Sequence, residues 1–254
     1  MFQTPRSACR RQPRAPCIVR CSILIALGGL VVGTFGGCGA GAYERRLQKG
    51  LDERITKEQK AARFNVLYAP QALDKVPVSV RIPTAFTVPP LVEEVNQADP
   101  RRVKPGLVRL PGLKLTYEMT IKDDKGGQLP YYCYVGAMKA AENQLQEVCN
   151  TLRGELTAKP GADVSEWVDF QGEAPDGRDM AWKKLRCVSQ QEFVCADAGG
   201  QARSETMPGL LEIYLHEEKG YLVVVAWRMP KSLEASVDLT QWAPLVAGCV
   251  SVTQ

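Results

Sequence analysis

Hydrophobic positions along this chain fall into three patterns. The first is continuous: an apolar run from Ile23, broken by Gly28, Gly29 and Gly33, ends at Cys38. The second recurs every three or four residues and predicts helices. Leu47, Leu51 and Ile55 sit at this spacing in a highly charged segment, 43–64, and Ala141, Leu145, Val148 and Leu152 do so in 138–156, which Gly154 and Pro160-Gly161 close. Residues 239–248 (LTQWAPLVAG) read as a C-terminal helix, with Pro244 awkward inside it or marking its start, and Val246 and Cys249 facing a sheet. The third pattern alternates and predicts strands over 78–82, 114–122, 131–135, 167–170, 181–188, 191–196, 210–215 and 221–227. Turn sequences separate them: Asp123 to Gly127, Pro175-Asp176-Gly177, a tight turn near Gln191, and Glu217 to Gly220. Residues 221–227 (YLVVVAW) are almost wholly apolar, as a central strand covered on both faces must be.

These elements predict an α+β fold in which helices pack on an antiparallel β-sheet, preceded by an N-terminal charged helix. Eight prolines between 70 and 111 exclude helix interiors and central strands there, so 78–82 reads as an edge strand in an otherwise extended segment. Within 131–135, Tyr131 and Cys133 share one face and Tyr132 and Tyr134 the other, so the three tyrosines cannot share one core. The charged helix reads as a stalk, as a partner-binding helix, or as a tether that frays at Gly50.

The leader decides location. Arg6, Arg10, Arg11, Arg14 and Arg20 precede the apolar run and no acidic residue does, which is the pattern of a secretory signal peptide. The run is about 15 residues, short of the ~20 that span a bilayer. Its end, Phe35-Gly36-Gly37-Cys38, resembles the lipobox of bacterial lipoproteins, with Phe35 where leucine is usual. That resemblance implies cleavage before Cys38, lipidation of Cys38 with palmitate among the acyl chains, and a membrane-anchored protein of the bacterial cell envelope facing the periplasm or the exterior. An unlipidated secreted form and a retained signal anchor are the alternatives. The chain then divides into a signal peptide (1–37), an anchor site with a charged helical tether (38–69), a Pro-rich extended segment with an edge strand (70–112), and an α+β domain (113–254) that the strand within 76–83 joins.

Removing the leader changes the charge and the thiol count. Five of the 32 Lys and Arg residues leave with it, so the rest is close to balance with the 28 acidic residues, and nothing favours nucleic acid as a partner. Cys9, Cys17 and Cys21 leave as well, and Cys133, Cys149, Cys187, Cys195 and Cys249 remain beyond Cys38. An oxidising compartment permits disulfides, and the candidate is Cys187 with Cys195, placed symmetrically about the turn near Gln191. The alternative is that both are small buried hydrophobes.

The order of strand, hairpin, helix, antiparallel strands and C-terminal helix is similar to the α/β/α sandwich of PsbP-like proteins. The local echoes are Val78-Ser79-Val80-Arg81-Ile82-Pro83, Trp182-Lys183-Lys184-Leu185 and the hairpin over 210–227. The resemblance implies a binding or assembly role.

No nucleophile, phosphate-loop, metal or dinucleotide signature is present, so no catalytic residue, cofactor or metal is expected. His216, the one histidine, falls at a hairpin end beside Glu217 and reads as a solvated turn residue. Asp163, Asp169, Glu173, Asp176 and Asp179 are dense enough to raise weak calcium binding against a solvated loop. The tryptophans read as core. The expected function is a membrane-tethered, non-catalytic lipoprotein of the cell envelope acting as a binding or assembly module, with the membrane and an envelope protein as partners. The alternatives are a small envelope enzyme or ligand-binding protein using carboxylates or a free thiol, and a structural surface protein.

Overall fold

The computed structural model describes residues 40–87, 91–92, 108–124, 126–237 and 239–253. In chain order these form α1 (Ala40–Ala62), a 3₁₀ turn (Arg63–Val66), β1 (Gln71–Ala72), β2 (Val78–Val80), β3 (Leu91–Val92), β4 (Leu113–Lys122), β5 (Gln128–Lys139), α2 (Gln144–Thr157), β6 (Asp163–Val164), β7 (Val168–Glu173), β8 (Asp179–Ala196), β9 (Ala202–Glu218), β10 (Tyr221–Pro230), a 3₁₀ turn (Lys231–Leu233), α3 (Leu239–Gly248) and β11 (Ser251–Val252). The leader and Cys38 lie outside the described residues, as does most of the Pro-rich segment between 88 and 107. The chain divides into two compact units, 1–48 and 49–254. Of the first, only the start of α1 is described. Tyr43, Leu47, Leu51 and Ile55 on α1 are all exposed. No helix among the described residues is long and apolar enough to cross a membrane.

The second unit is built on an eight-stranded antiparallel sheet in the order β3-β4-β5-β10-β9-β8-β6, with β7 sharing the β8 edge. β10 is central, as its apolar sequence requires. Val223, Val225, Trp227 and Met229 face one core, and Leu222, Val224 and Ala226 face another. Two cores resolve the tyrosine problem: Tyr131 enters the first, Tyr132 and Tyr134 enter the second, and all three are buried.

A separate three-stranded sheet, β1-β2-β11, together with Phe64, Phe86 and α3, covers the first face. The expected edge strand is therefore the middle strand of this small sheet. It packs on the core of the domain without joining the large sheet, and Val78 and Val80 are buried. The second face is covered by α2 through Cys149, Leu152 and Leu156, with Val108 and Leu110 alongside.

Two boundaries differ from the sequence reading. The second helix starts at Gln144 rather than 138, because Met138 and Lys139 continue β5 opposite Leu222 and Tyr221. Asn143 then breaks the chain with a left-handed φ of 62°. The C-terminal helix, by contrast, spans 239–248 as read, with Pro244 inside it and Val246 buried. Lastly, no turn forms at Gln191. β8 is one 18-residue strand that passes through it, with Gln191 opposite Met207.

That long strand overturns the expected Cys187–Cys195 disulfide. Eight residues of extended chain separate the two by roughly 26 Å, and a disulfide tolerates Cα atoms no more than about 7 Å apart. Both are free, buried thiols on the second face, like Cys149.

Candidate functional site

Strand alternation places charge on the first face beside an unfilled space. On β8, Trp182, Lys184 and Arg186 point to one side, and on β9 Glu212 and Tyr214 point to the same side, with Arg186 opposite Glu212 and Lys184 opposite Tyr214. Glu212 is only 6% exposed. Burying an ionised carboxylate is costly unless it is paired and hydrogen-bonded, and here both oxygens are engaged. Tyr214 donates its hydroxyl to Oε2 at 2.6 Å, and Lys184 Nζ lies 3.0 Å from Oε1, with Arg186 Nε at 4.0 Å. Arg186 Nη2 donates to Glu234 Oε1 at 2.6 Å, and Lys231 Nζ bonds the other oxygen of Glu234.

Lys184, Glu212, Tyr214 and Glu234 line a cavity of about 190 Å³ between the sheet and α3, with Arg186 and Lys231 just outside it. The rest of its wall is apolar except for Thr240: Phe170, Leu210, Met229, Val237, Leu239 and Ala243. Phe170 meets Tyr214 edge-on at 4.8 Å, and the Lys184 ammonium lies 5.4 Å from the centroid of the Tyr214 ring. Burial, then the neighbouring Glu212 carboxylate, holds the Tyr214 hydroxyl far above the usual phenol range, so it remains a donor. The Lys231 hydrogen bond, with Arg186 and Lys184 behind it, holds Glu234 below the usual carboxylate range. A carboxylate with a donor already on each oxygen is poorly placed to act as a base. Fixed charge at the floor of an apolar cavity is suited to holding and orienting a ligand.

His216 is not a solvated turn residue. Pairing of β9 with β10 continues through Glu218, so the turn falls beyond it and His216 packs against Trp182, ring centroids 4.9 Å apart. Its Nδ1 lies 2.8 Å from the Ala181 carbonyl, where it donates, and Nε2 lies 3.7 Å from Glu218 Oε2. It borders a different cleft, lined also by Arg178, Lys219 and Val252, and is not brought to Glu212.

Three of the five acids in the 163–179 stretch already hold cations along the β7–β8 hairpin: Asp169 pairs with Lys183, Glu173 with Arg63 and Asp176 with Arg178, each at 2.6 Å, while Asp163 lies apart on β6. No group of three or more metal-ligating side chains occurs among the described residues. All five thiols among the described residues are buried, and desolvation raises each of them, Cys249 to about 11. A nucleophilic cysteine requires the opposite shift. Trp182 and Trp227 are core residues, and Trp167 and Trp242 are partly buried against the two cores.

Glu212, Lys184 and Tyr214 were not singled out from sequence. The available signal was Glu212 itself, a lone acid in the apolar run Leu210-Leu211-Glu212-Ile213-Tyr214-Leu215.

No protein-family model and no curated protein sequence matches this chain. Among solved structures, the chain is similar to the solution structure of cyanobacterial PsbP (CyanoP) from Synechocystis sp. PCC 6803, at 12% identity and a TM-score of 0.39, over 74% of this chain and 94% of that one.

Proposed function

We propose that this protein is a membrane-tethered, non-catalytic binding module of the bacterial cell envelope. The observation that carries the binding role is the apolar cavity under α3, whose buried acid Glu212 is already committed to Lys184 and Tyr214. The leader and the lipobox-like ending at Cys38 support the tether and the location. Several buried acyl chains, at ~0.8 kcal/mol per CH₂, hold a soluble domain at a membrane. The insulated thiols and the paired carboxylates argue against the enzyme alternative.

Fractionation of cells expressing the full chain tests the tether. The wild-type protein is expected in the membrane fraction, labelled by a palmitate analogue, and Cys38→Ala is expected to lose the label and the membrane. Label-free wild-type protein wholly in the soluble fraction overturns the anchored reading.

A further inference from the structure

We propose that the cavity between α3 and the sheet binds a small carboxylate with a compact apolar body, seated with its anionic end on Lys184. This rests on reading the cavity as the binding site of the protein, and it adds the chemical class of the ligand.

The first reason is charge. Among the described residues, Lys184, Arg186 and Lys231 bring three cations to a cluster whose acids are Glu212 and Glu234, one positive charge more than the negative ones. Arg186 and Lys231 are directed at Glu234 near the exposed rim, whereas Lys184 lines the cavity, and an ammonium carries three donors. Its one ion pair, to Glu212, leaves donors for a second anion. Glu212 offers a cationic ligand much less, since each of its oxygens already has a donor and Lys184 stands beside it.

The second reason is the wall. Phe170, Leu210, Met229, Val237, Leu239 and Ala243 offer the body of a ligand an apolar surface, and a charge contact strengthens as that body displaces water beside it. The third is size. A cavity of about 190 Å³ exceeds the roughly 150 Å³ that accommodates benzene in an engineered protein core. It suits one ring or a short branched chain, not a sugar nucleotide or a long acyl chain.

Titration calorimetry and amide chemical-shift mapping on the full chain test this with benzoate, its neutral analogue benzamide and its cationic analogue benzylamine. Benzoate is expected to bind about tenfold or more tightly than benzamide, as a charge-assisted contact predicts, to bind still more tightly than benzylamine, and to shift the amides of Leu239 to Ala243. Ala243→Leu, which fills the cavity, is expected to abolish binding with an unchanged circular dichroism spectrum. The paired Lys184→Met/Glu212→Gln variant, which strands no buried charge, is expected to erase the preference for benzoate. Equal binding of benzoate and benzamide, lost in Ala243→Leu, overturns the ligand class and leaves the cavity as a binding site, as does tighter binding of benzylamine. Absence of binding by all three, or binding indifferent to Ala243→Leu and shifting other amides, overturns both. Should Ala243→Leu fail to fold, the shift map on the wild-type chain decides between these outcomes.

Discussion

The two helices that cover the large sheet do so in opposite ways. α2 lies over a filled interior: Cys149, Leu152 and Leu156 enter the second core, and Trp167 Nε1 donates to the Cys149 carbonyl at 2.9 Å, pinning the helix to the chain around it. α3 is tight at one end and open at the other. Its last residue, Gly248, meets β7 backbone to backbone, while Leu239, Thr240 and Ala243 at its start line the cavity. Each face also buries a charge. On the α2 side, Arg228 is 2% exposed, and no carboxylate of a described residue lies within ion-pair distance. Its guanidinium donates to Gln191 Oε1 at 2.8 Å and to the Glu192 carbonyl at 2.5 Å, and stacks 4.4 Å from the centroid of Phe193. On the α3 side, Glu212 is matched by cations beside unfilled space. A buried charge solvated by neutral dipoles and ring faces in a filled core is a structural device. A buried ion pair at the edge of a cavity has capacity left for a ligand.

The sharpest way to break this comparison is at the tight end of α3. A Cβ on Gly248 would stand 1.9 Å from the Glu173 carbonyl oxygen, and one on Gly172 would stand 2.7 Å from the Gly248 nitrogen. Both contacts are with backbone, which cannot rotate away. Gly248→Val is therefore expected to cost at least about 3 kcal/mol, at the upper end of overpacking effects, read as a lowered urea midpoint. Gly154 in α2 has nothing within 4 Å of its would-be Cβ. Gly154→Ala is expected to stabilise by about 0.5–1 kcal/mol through helix propensity. A neutral Gly248→Val would mean that α3 is not seated on β7 at all.

That glycine contact shows where sequence reading stops. The strands and helices were legible because period and turn chemistry are local, and YLVVVAW at 221–227 could only be a strand buried on both faces. What failed depended on partners distant in sequence. Met138 and Lys139 looked helical by spacing but are claimed by β10. Gln191 looked like a turn because cysteines flank it evenly, yet β9 pairs straight across it. Sequence alone makes His216 look solvated because Glu217 and Glu218 have turn character, yet both pair with β10 and carry the strand past the imidazole. The cavity was illegible for the same reason: Lys184, Glu212 and Ala243 come from three elements, and only the stand-off of α3 makes a space between them.

A smaller effect tests the other side of the comparison. Arg228→Met removes the guanidinium and leaves Gln191 Oε1 and the Glu192 carbonyl without the donor they bond in the core. Unsatisfied buried acceptors predict a loss of about 1–3 kcal/mol. Arg228→Lys keeps the charge but not the planar fork or the stacking on Phe193, so it is expected to recover only part of that loss. Neither variant should alter benzoate binding once the folded fraction is matched. A change in affinity at unchanged stability would show that Arg228 communicates with a ligand, and the contrast between the two faces would fall.

The smallest effect concerns acid. Glu234 on the α3 side has its carboxyl held below the ordinary range by the Lys231 hydrogen bond and by Arg186. A carboxylate with a depressed folded-state pKa contributes stability in full above its unfolded value, near about 4.3, and loses it as pH falls through the lower folded value. The unfolded state then binds the proton first, so unfolding is favoured on the acid side. The Glu234 side chain is 41% exposed, and solvent screening limits the contribution to at most about 0.5 kcal/mol. Glu234→Gln is accordingly expected to flatten slightly the decline of the urea midpoint between about pH 5 and pH 3 while leaving the midpoint at pH 7 within that margin, and raised salt should shrink the difference between the two proteins. Arg228→Met should lower the midpoint by the same amount at every pH in that window. If instead Arg228→Met changes the slope and Glu234→Gln does not, the titrating electrostatics belong to the α2 face, and the division between a filled face and a ligand-ready face is wrong in its charge assignment.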